Sequence, residues 1–143
     1  MYETYSRQAL PSKEYRELLG SAICVFNSNN AFVIENILRS DDEHVYDWYT
    51  LMDKESGKLK AVIRQTISQK SNNDIAELFD ELIGMRNRII HSFQITNNGE
   101  QILATKSKVK DGNKQFIITK EYLIEFIKKN EKLSSELHNF RGY

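Results

Sequence analysis

Arg86, Asn87 and His91, in the second half of the sequence, have the types and spacing for acid–base chemistry on a bound anion. A guanidinium keeps its proton at ordinary pH, so Arg86 is a permanent cation that can hold a phosphate or carboxylate through two parallel N–H donors. An imidazole changes charge near neutral pH and can both take and give a proton. Asn87 and His91 are four apart, hence neighbours on one helix face, so the amide can bond one ring nitrogen and aim the other. Gly84, three before Asn87, bares that same face and would let another backbone approach. Glycine costs about 1 kcal/mol against alanine inside a helix. A close contact at Gly84 is the expected compensation.

The element that positions these groups reads as an amphipathic helix beginning near Asn72 and reaching Phe93. Ile75, Leu78, Phe79, Leu82, Ile83, Ile89, Ile90 and Phe93 recur three or four apart, the helical period. Arg86 falls inside that apolar stripe, four after Leu82 and three before Ile89. Burying a guanidinium unpaired costs several kcal/mol, so a carboxylate, a partner chain or a phosphate is expected to meet it. In a purely structural role the acid would be Glu35 or Asp47. His91 would then be only a histidine at a helix C-terminus, where positive charge is favoured.

Arg86-Asn87, three residues and His91, late in a helix of a small helical chain, resemble the HEPN superfamily. Its pattern is arginine, a polar residue, then histidine after four to six intervening residues. The resemblance implies a helical bundle that dimerises so that two motifs face each other. It also implies a metal-independent endoribonuclease of the kind found in toxin–antitoxin and antiphage systems, with a cognate antitoxin as a further partner. Other members are non-catalytic binding or adaptor modules, and that is the alternative expectation. Some members carry tyrosine two residues after the histidine as an acceptor for nucleotide modification; here that position is Phe93, which has no hydroxyl.

RNA cleavage of this kind needs the 2′-hydroxyl deprotonated, the leaving 5′-oxygen protonated and the added phosphate charge met. His91 would move the protons, Asn87 would hold the ring, and Arg86, assisted by Arg88, would grip the phosphate. Residues five apart on a helix point about 140° from each other. A two-fold dimer answers this by letting each chain complete the other's cleft, with Gly84 permitting the approach. The expected ends are a 2′,3′-cyclic phosphate and a 5′-hydroxyl.

The rest of the chain sets the frame. Its 143 residues are one domain's worth, and 40% hydrophobic content with one proline and six glycines favours a folded, helix-rich protein. Twenty basic residues balance twenty acidic ones, so any RNA contact must be local. A single cysteine, Cys24, excludes an intrachain disulfide; its neighbours Ile23, Val25 and Phe26 suggest a buried thiol. Met1–Tyr5 lack a signal layout and no apolar run approaches membrane-spanning length, so the expectation is a soluble cytoplasmic protein with no membrane partner. No metal or cofactor pattern is visible, and His44 and His138 have no ligand partner at a useful spacing.

In chain order, residues 1–10 read as a loose arm, and Ser12 caps one long helix, 12–39, that runs through Asn27–Asn30, where Asn30 is either buried and fixes register against a partner or is a weak spot in the helix. Ser40 and Glu43 look like a capping box for a second helix that ends at Ser56-Gly57. Its aromatics Tyr46, Trp48 and Tyr49, at helical spacing, read as core in preference to a stacking surface for bases. A third helix spans 58–69, and Ser71 with Asp74 opens the motif helix. Asn97-Asn98-Gly99 and Asp111-Gly112 are turn signals. They frame a β-hairpin within 100–119, strands 101–109 and 114–119, before a last helix capped by Thr119. Lys106, Lys108 and Lys110 alternate, so they share one strand face, either as guards of an edge strand or as a basic ribbon for RNA phosphates. The fold class expected is mainly α: a single domain over 1–143, a bundle of four to five helices with a small β-hairpin inserted before the last.

Overall fold

The computed structural model describes residues 4–142. Of the expected loose arm, residues 1–3 lie outside that range. Residues 4–10 form turns and bends, with Tyr5 Oη accepting from Arg16 Nη1 at 3.2 Å and the Ala9 carbonyl accepting from Gln94 Nε2 at 2.8 Å. Ser12 caps helix α1, Lys13–Ser40, its Oγ accepting from the Tyr15 amide at 3.2 Å. The helix continues through the asparagine run because its buried polar group has a partner. That group is Asn29, not Asn30, and the partner lies in the last helix, α5, Lys120–Arg141. Asn29 Nδ2 donates to the Asn130 carbonyl at 2.8 Å and to its Oδ1 at 3.0 Å; Asn130 Nδ2 donates to the Phe126 carbonyl at 2.9 Å. Asn30 stays half-buried and accepts from Ser56 Oγ.

Three cross-links at successive levels set the direction of α5. Glu14 meets Lys120, Asn29 meets Asn130 and Glu35 meets Arg141, so α1 and α5 run parallel. The motif helix α4, Asp74–Ile90, runs antiparallel to α5, as Glu81–Lys129 and the Met85 carbonyl–Tyr122 hydroxyl pairing require. Phe26 of α1 stacks on Phe79 of α4 at 5.9 Å and on Phe126 of α5 at 6.1 Å. All three rings are fully buried. Each contributes on the order of 3 kcal/mol of burial, which makes this triad the centre of the core.

The helices between α1 and α4 depart from expectation. Ser40 ends α1 rather than capping a second helix, and Asp41 accepts from the Tyr46 amide at 2.8 Å, closing a loop. Asp47 supplies the cap instead, accepting from the Thr50 amide at 3.0 Å and the Thr50 hydroxyl at 2.7 Å. Helix α2, Trp48–Asp53, is therefore only six residues long. Ser56-Gly57, expected to stop it, instead begin α3, Ser56–Gln65. The third helix does not run unbroken to 69: it breaks at Thr66, whose hydroxyl turns back to the Val62 carbonyl, and resumes as a 3₁₀ turn, Ile67–Lys70. Asn72 Oδ1, not Ser71, meets the Asp74 amide at the head of α4.

The β region is larger than a hairpin. Strands β1, Phe93–Asn97, β2, Glu100–Lys106, and β3, Gln115–Ile117, form one antiparallel sheet in that order. Asn98 and Gly99 hold φ of 52° and 81°, the left-handed pair a tight hairpin needs, and join β1 to β2 in the register Phe93↔Ala104. Phe93 thus belongs to a strand and not to the motif helix. Two burial expectations also fail. Cys24 is exposed, because α1 buries Ala22 and Phe26 and position 24 faces away from both. Trp48 and Tyr49 lie outside the core, whereas Tyr46 packs partly against it. Among the described residues no helix is long and apolar enough to cross a membrane.

Candidate functional site

The C-terminal turn of α4 presents the motif. The apolar stripe holds this helix against α1, α3 and α5 through Leu82, Ile83 and Ile89, all buried. Arg86 leaves the stripe toward α1, its Cζ lying 4.9 Å from the centroid of the Phe26 ring. That face attracts a cation by about 0.5–2 kcal/mol, which offsets only part of the desolvation. Arg86 Nε is buried with no hydrogen-bond partner. No carboxylate pairs with this guanidinium among the described residues. Glu35 and Asp47, the acids expected to quench it in a structural role, are engaged elsewhere, with Arg141 at 3.0 Å and with Thr50. Burial lowers the Arg86 pKa.

His91 sits one residue past the helix as its C-cap, φ −94° and ψ 36°. Its amide still donates to the Asn87 carbonyl at 3.0 Å, so the four-residue register holds at the level of the backbone. The buried Thr105 hydroxyl of β2 approaches the His91 carbonyl at 3.4 Å and ties that turn to the sheet. The imidazole itself is exposed and makes no hydrogen bond among the described residues. Asn87 is half-buried, and its amide does not bond the ring in the single protomer. Beside the histidine, Ile90 and Phe93 are 53% and 43% exposed, an apolar rim on an otherwise polar surface.

Arg88 behaves differently from its neighbour. Its Nη1 donates to the Lys106 carbonyl at the end of β2, so the side chain serves as a strut between α4 and the sheet. That strut brings the β2–β3 connection beside the motif turn. The expected lysine face is not a strand face: β2 ends at Lys106, Lys108 caps a short 3₁₀ turn, and Lys110 lies within it. Alternation along a strand cannot extend past the last paired residue, so the three lysines are spread around an exposed loop. Lys106 Nζ donates to Asn113 Oδ1 at 2.6 Å, inside that loop.

Gly84 opens on empty space. A Cβ built there would meet nothing within 4 Å, so the close backbone contact expected at this position is not made within the protomer. Clefts lie elsewhere: one of about 330 Å³ beside the α1–α2 loop, and a shallow one of about 600 Å³ between α4 and α5, lined by Asp74, Glu77, Asp80, Glu81, Lys132 and Glu136. Neither is lined by Arg86, Asn87 or His91. No group of three or more His, Cys, Asp or Glu side chains able to share a metal ion occurs among the described residues.

Two contributors could not be singled out beforehand: Phe26, which looks like any core position of α1, and Tyr122 of α5, whose hydroxyl approaches the Met85 carbonyl beneath the motif. Burial raises the Tyr122 pKa, with the Arg88 charge opposing. Only packing reveals such pairs. No family model, curated protein or solved structure matches this chain, so the site's own geometry carries its interpretation.

Proposed function

We propose that the chain is a metal-independent endoribonuclease of HEPN type, acting in the cytoplasm as the toxin or effector of a toxin–antitoxin or antiphage system. Its working form is a homodimer whose two motifs share one cleft, and a cognate antitoxin is its natural restraint. One observation supports this above others: Arg86 holds a partly desolvated guanidinium whose Nε has no partner and which pairs with no acid among the described residues. In the dimer that charge meets the scissile phosphate, and its hydrogen bonds strengthen as negative charge builds on the phosphoryl oxygens. One imidazole accepts the proton of the 2′-hydroxyl while the 2′-oxygen bonds to phosphorus. The phosphorus–5′-oxygen bond then breaks and the departing oxygen receives a proton from the second imidazole. Asn87 steadies the ring once the partner closes over Gly84. Arg88, Lys106, Lys108 and Lys110 flank the motif and hold the neighbouring phosphates.

Incubating the purified protein with single-stranded RNA in excess chelator tests the proposal, with Arg86→Ala and His91→Ala beside it. Cleavage that leaves cyclic-phosphate ends and falls at least a hundredfold in both variants is the expected result. Equal behaviour of wild type and folded variants would falsify it. A second reading, a non-catalytic binding module, is favoured by one feature: the imidazole of the single protomer is exposed and bonds no amide among the described residues. It predicts RNA left intact by a dimer whose stability nevertheless depends on Arg86.

A further inference from the structure

Helix α2 spends its aromatic content on the outside. Trp48 is 48% exposed, Tyr49 77%, Val45 65% and Met52 38%, and the two aromatic rings meet edge-on at 5.5 Å. Leu51 is the one fully buried residue of the helix. Exposed apolar side chains gathered in one short segment, two of them in ring contact, mark a place where something else binds. The charge around it is one-sided. Residues 41–55 hold Asp41, Asp42, Glu43, Asp47, Asp53 and Glu55 against Lys54 alone, in a chain whose total is neutral. Asp42 is paired with Lys70 at 2.8 Å. Glu43, Asp47, Asp53 and Glu55 meet no cation among the described residues.

We propose that α2 and the loop before it form a docking ledge for a segment of another protein that carries arginine or lysine beside large apolar side chains. The exposed rings attract cations over their faces, and the uncompensated carboxylates complete the pairing. The same carboxylates repel a phosphate backbone, which sets the ledge against nucleic acid despite its aromatics. At Val45 the surface meets a cleft of about 330 Å³ bordered by Asp42, Glu43 and Tyr46, with Lys70, already paired to Asp42, on its far side. The ledge packs on α1 and shares no residue with the Arg86–His91 motif. Its occupancy is thus independent of the nuclease reading.

Trp48 is the chain's single tryptophan, so its emission reports the ledge directly. The probe is a synthetic leucine–arginine peptide of about four helical turns. Comparators are the same peptide with glutamate for arginine, oligouridine, and the protein concentrated alone. The expected result is a saturable shift of Trp48 emission to shorter wavelength with the arginine peptide only. Glu43→Lys combined with Asp53→Lys weakens that binding at least tenfold, and so does Tyr49→Ala, with helix content unchanged. The proposal is overturned by no saturable shift, by equal binding of the glutamate peptide or oligouridine, or by insensitivity to either variant. It is also overturned if the shift appears on concentrating the protein alone, for then a second copy is the occupant.

Discussion

Two arginines lie over two phenylalanines of the same helix. Arg141 Cζ is 5.4 Å from the ring of Phe32, and Arg86 Cζ is 4.9 Å from the ring of Phe26. Beyond the ring their surroundings part. Arg141 has Glu35 at 3.0 Å, one turn along α1 from its phenylalanine, and its side chain is 11% exposed. Arg86 has a comparable platform but no ion pair with an acid among the described residues, although the Nε of each arginine is buried without a hydrogen-bond partner. A quenched guanidinium recovers its desolvation as Coulomb and hydrogen-bond energy and serves as a clasp between α1 and α5. An unquenched one carries a net cost into the folded state. Ring contact therefore does not tell a structural arginine from one held for a ligand; the missing counter-charge does.

Function breaks the comparison most sharply. Arg86→Met is expected to lower RNA cleavage at least a hundredfold, whereas Arg141→Met leaves the rate per folded molecule unchanged. Single-turnover assays normalised to native protein measure both; equal losses would remove the distinction. Stability should move in the opposite sense. Arg141→Met strands Glu35 and costs about 1–2 kcal/mol, discounted because that carboxylate is about half exposed. Arg86→Met removes an uncompensated charge while keeping side-chain volume, so urea unfolding should show no loss, or a gain of about 1 kcal/mol. Gly84→Ala sharpens the point further. The added methyl meets nothing in the protomer, so a monomer should gain up to about 1 kcal/mol. A dimer closing over that face should instead weaken, which sedimentation against concentration will read.

How much of this was legible beforehand differs by element. The fold class was, because α1, α4 and α5 are long enough for their apolar spacing to outweigh local exceptions. The oddity of Arg86 was legible too, as a charge inside a stripe. What answers it was not, since the acids nearest in expectation, Glu35 and Asp47, are claimed by partners 106 residues and three residues away. Phe93 shows how a period misleads: four after Ile89, it extends the helical stripe, yet the left-handed Asn98-Gly99 pair turns the chain and makes it a strand. Trp48 and Tyr49 had helical spacing, but spacing cannot say whether a six-residue helix has a neighbour on that side. The lysines failed for a related reason. Alternation places Lys108 and Lys110 on a face only if the strand is paired that far, and pairing stops at Lys106.

The smallest expected effect concerns pH at the motif end. Tyr15 donates to the Ile118 carbonyl at 2.7 Å, beside the sheet, and burial raises its phenol pKa, with backbone hydrogen bonding a lesser, opposing cause. A raised acid keeps its proton in the folded chain after the unfolded chain has lost it. The folded state therefore binds more protons, and stability falls as pH climbs past the ordinary phenol value of about 10, until the raised value is passed. Tyr15→Phe removes the titration together with a hydrogen bond that contributes about 1 kcal/mol at neutral pH. Its deficit against wild type should shrink in denaturant melts taken above that range. A deficit that is constant from neutral to alkaline pH would mean that the phenol titrates alike in both states. The loosening of the motif end by base would then have to come from Tyr122, whose pKa burial also raises and whose hydroxyl rests against the Met85 carbonyl immediately before Arg86.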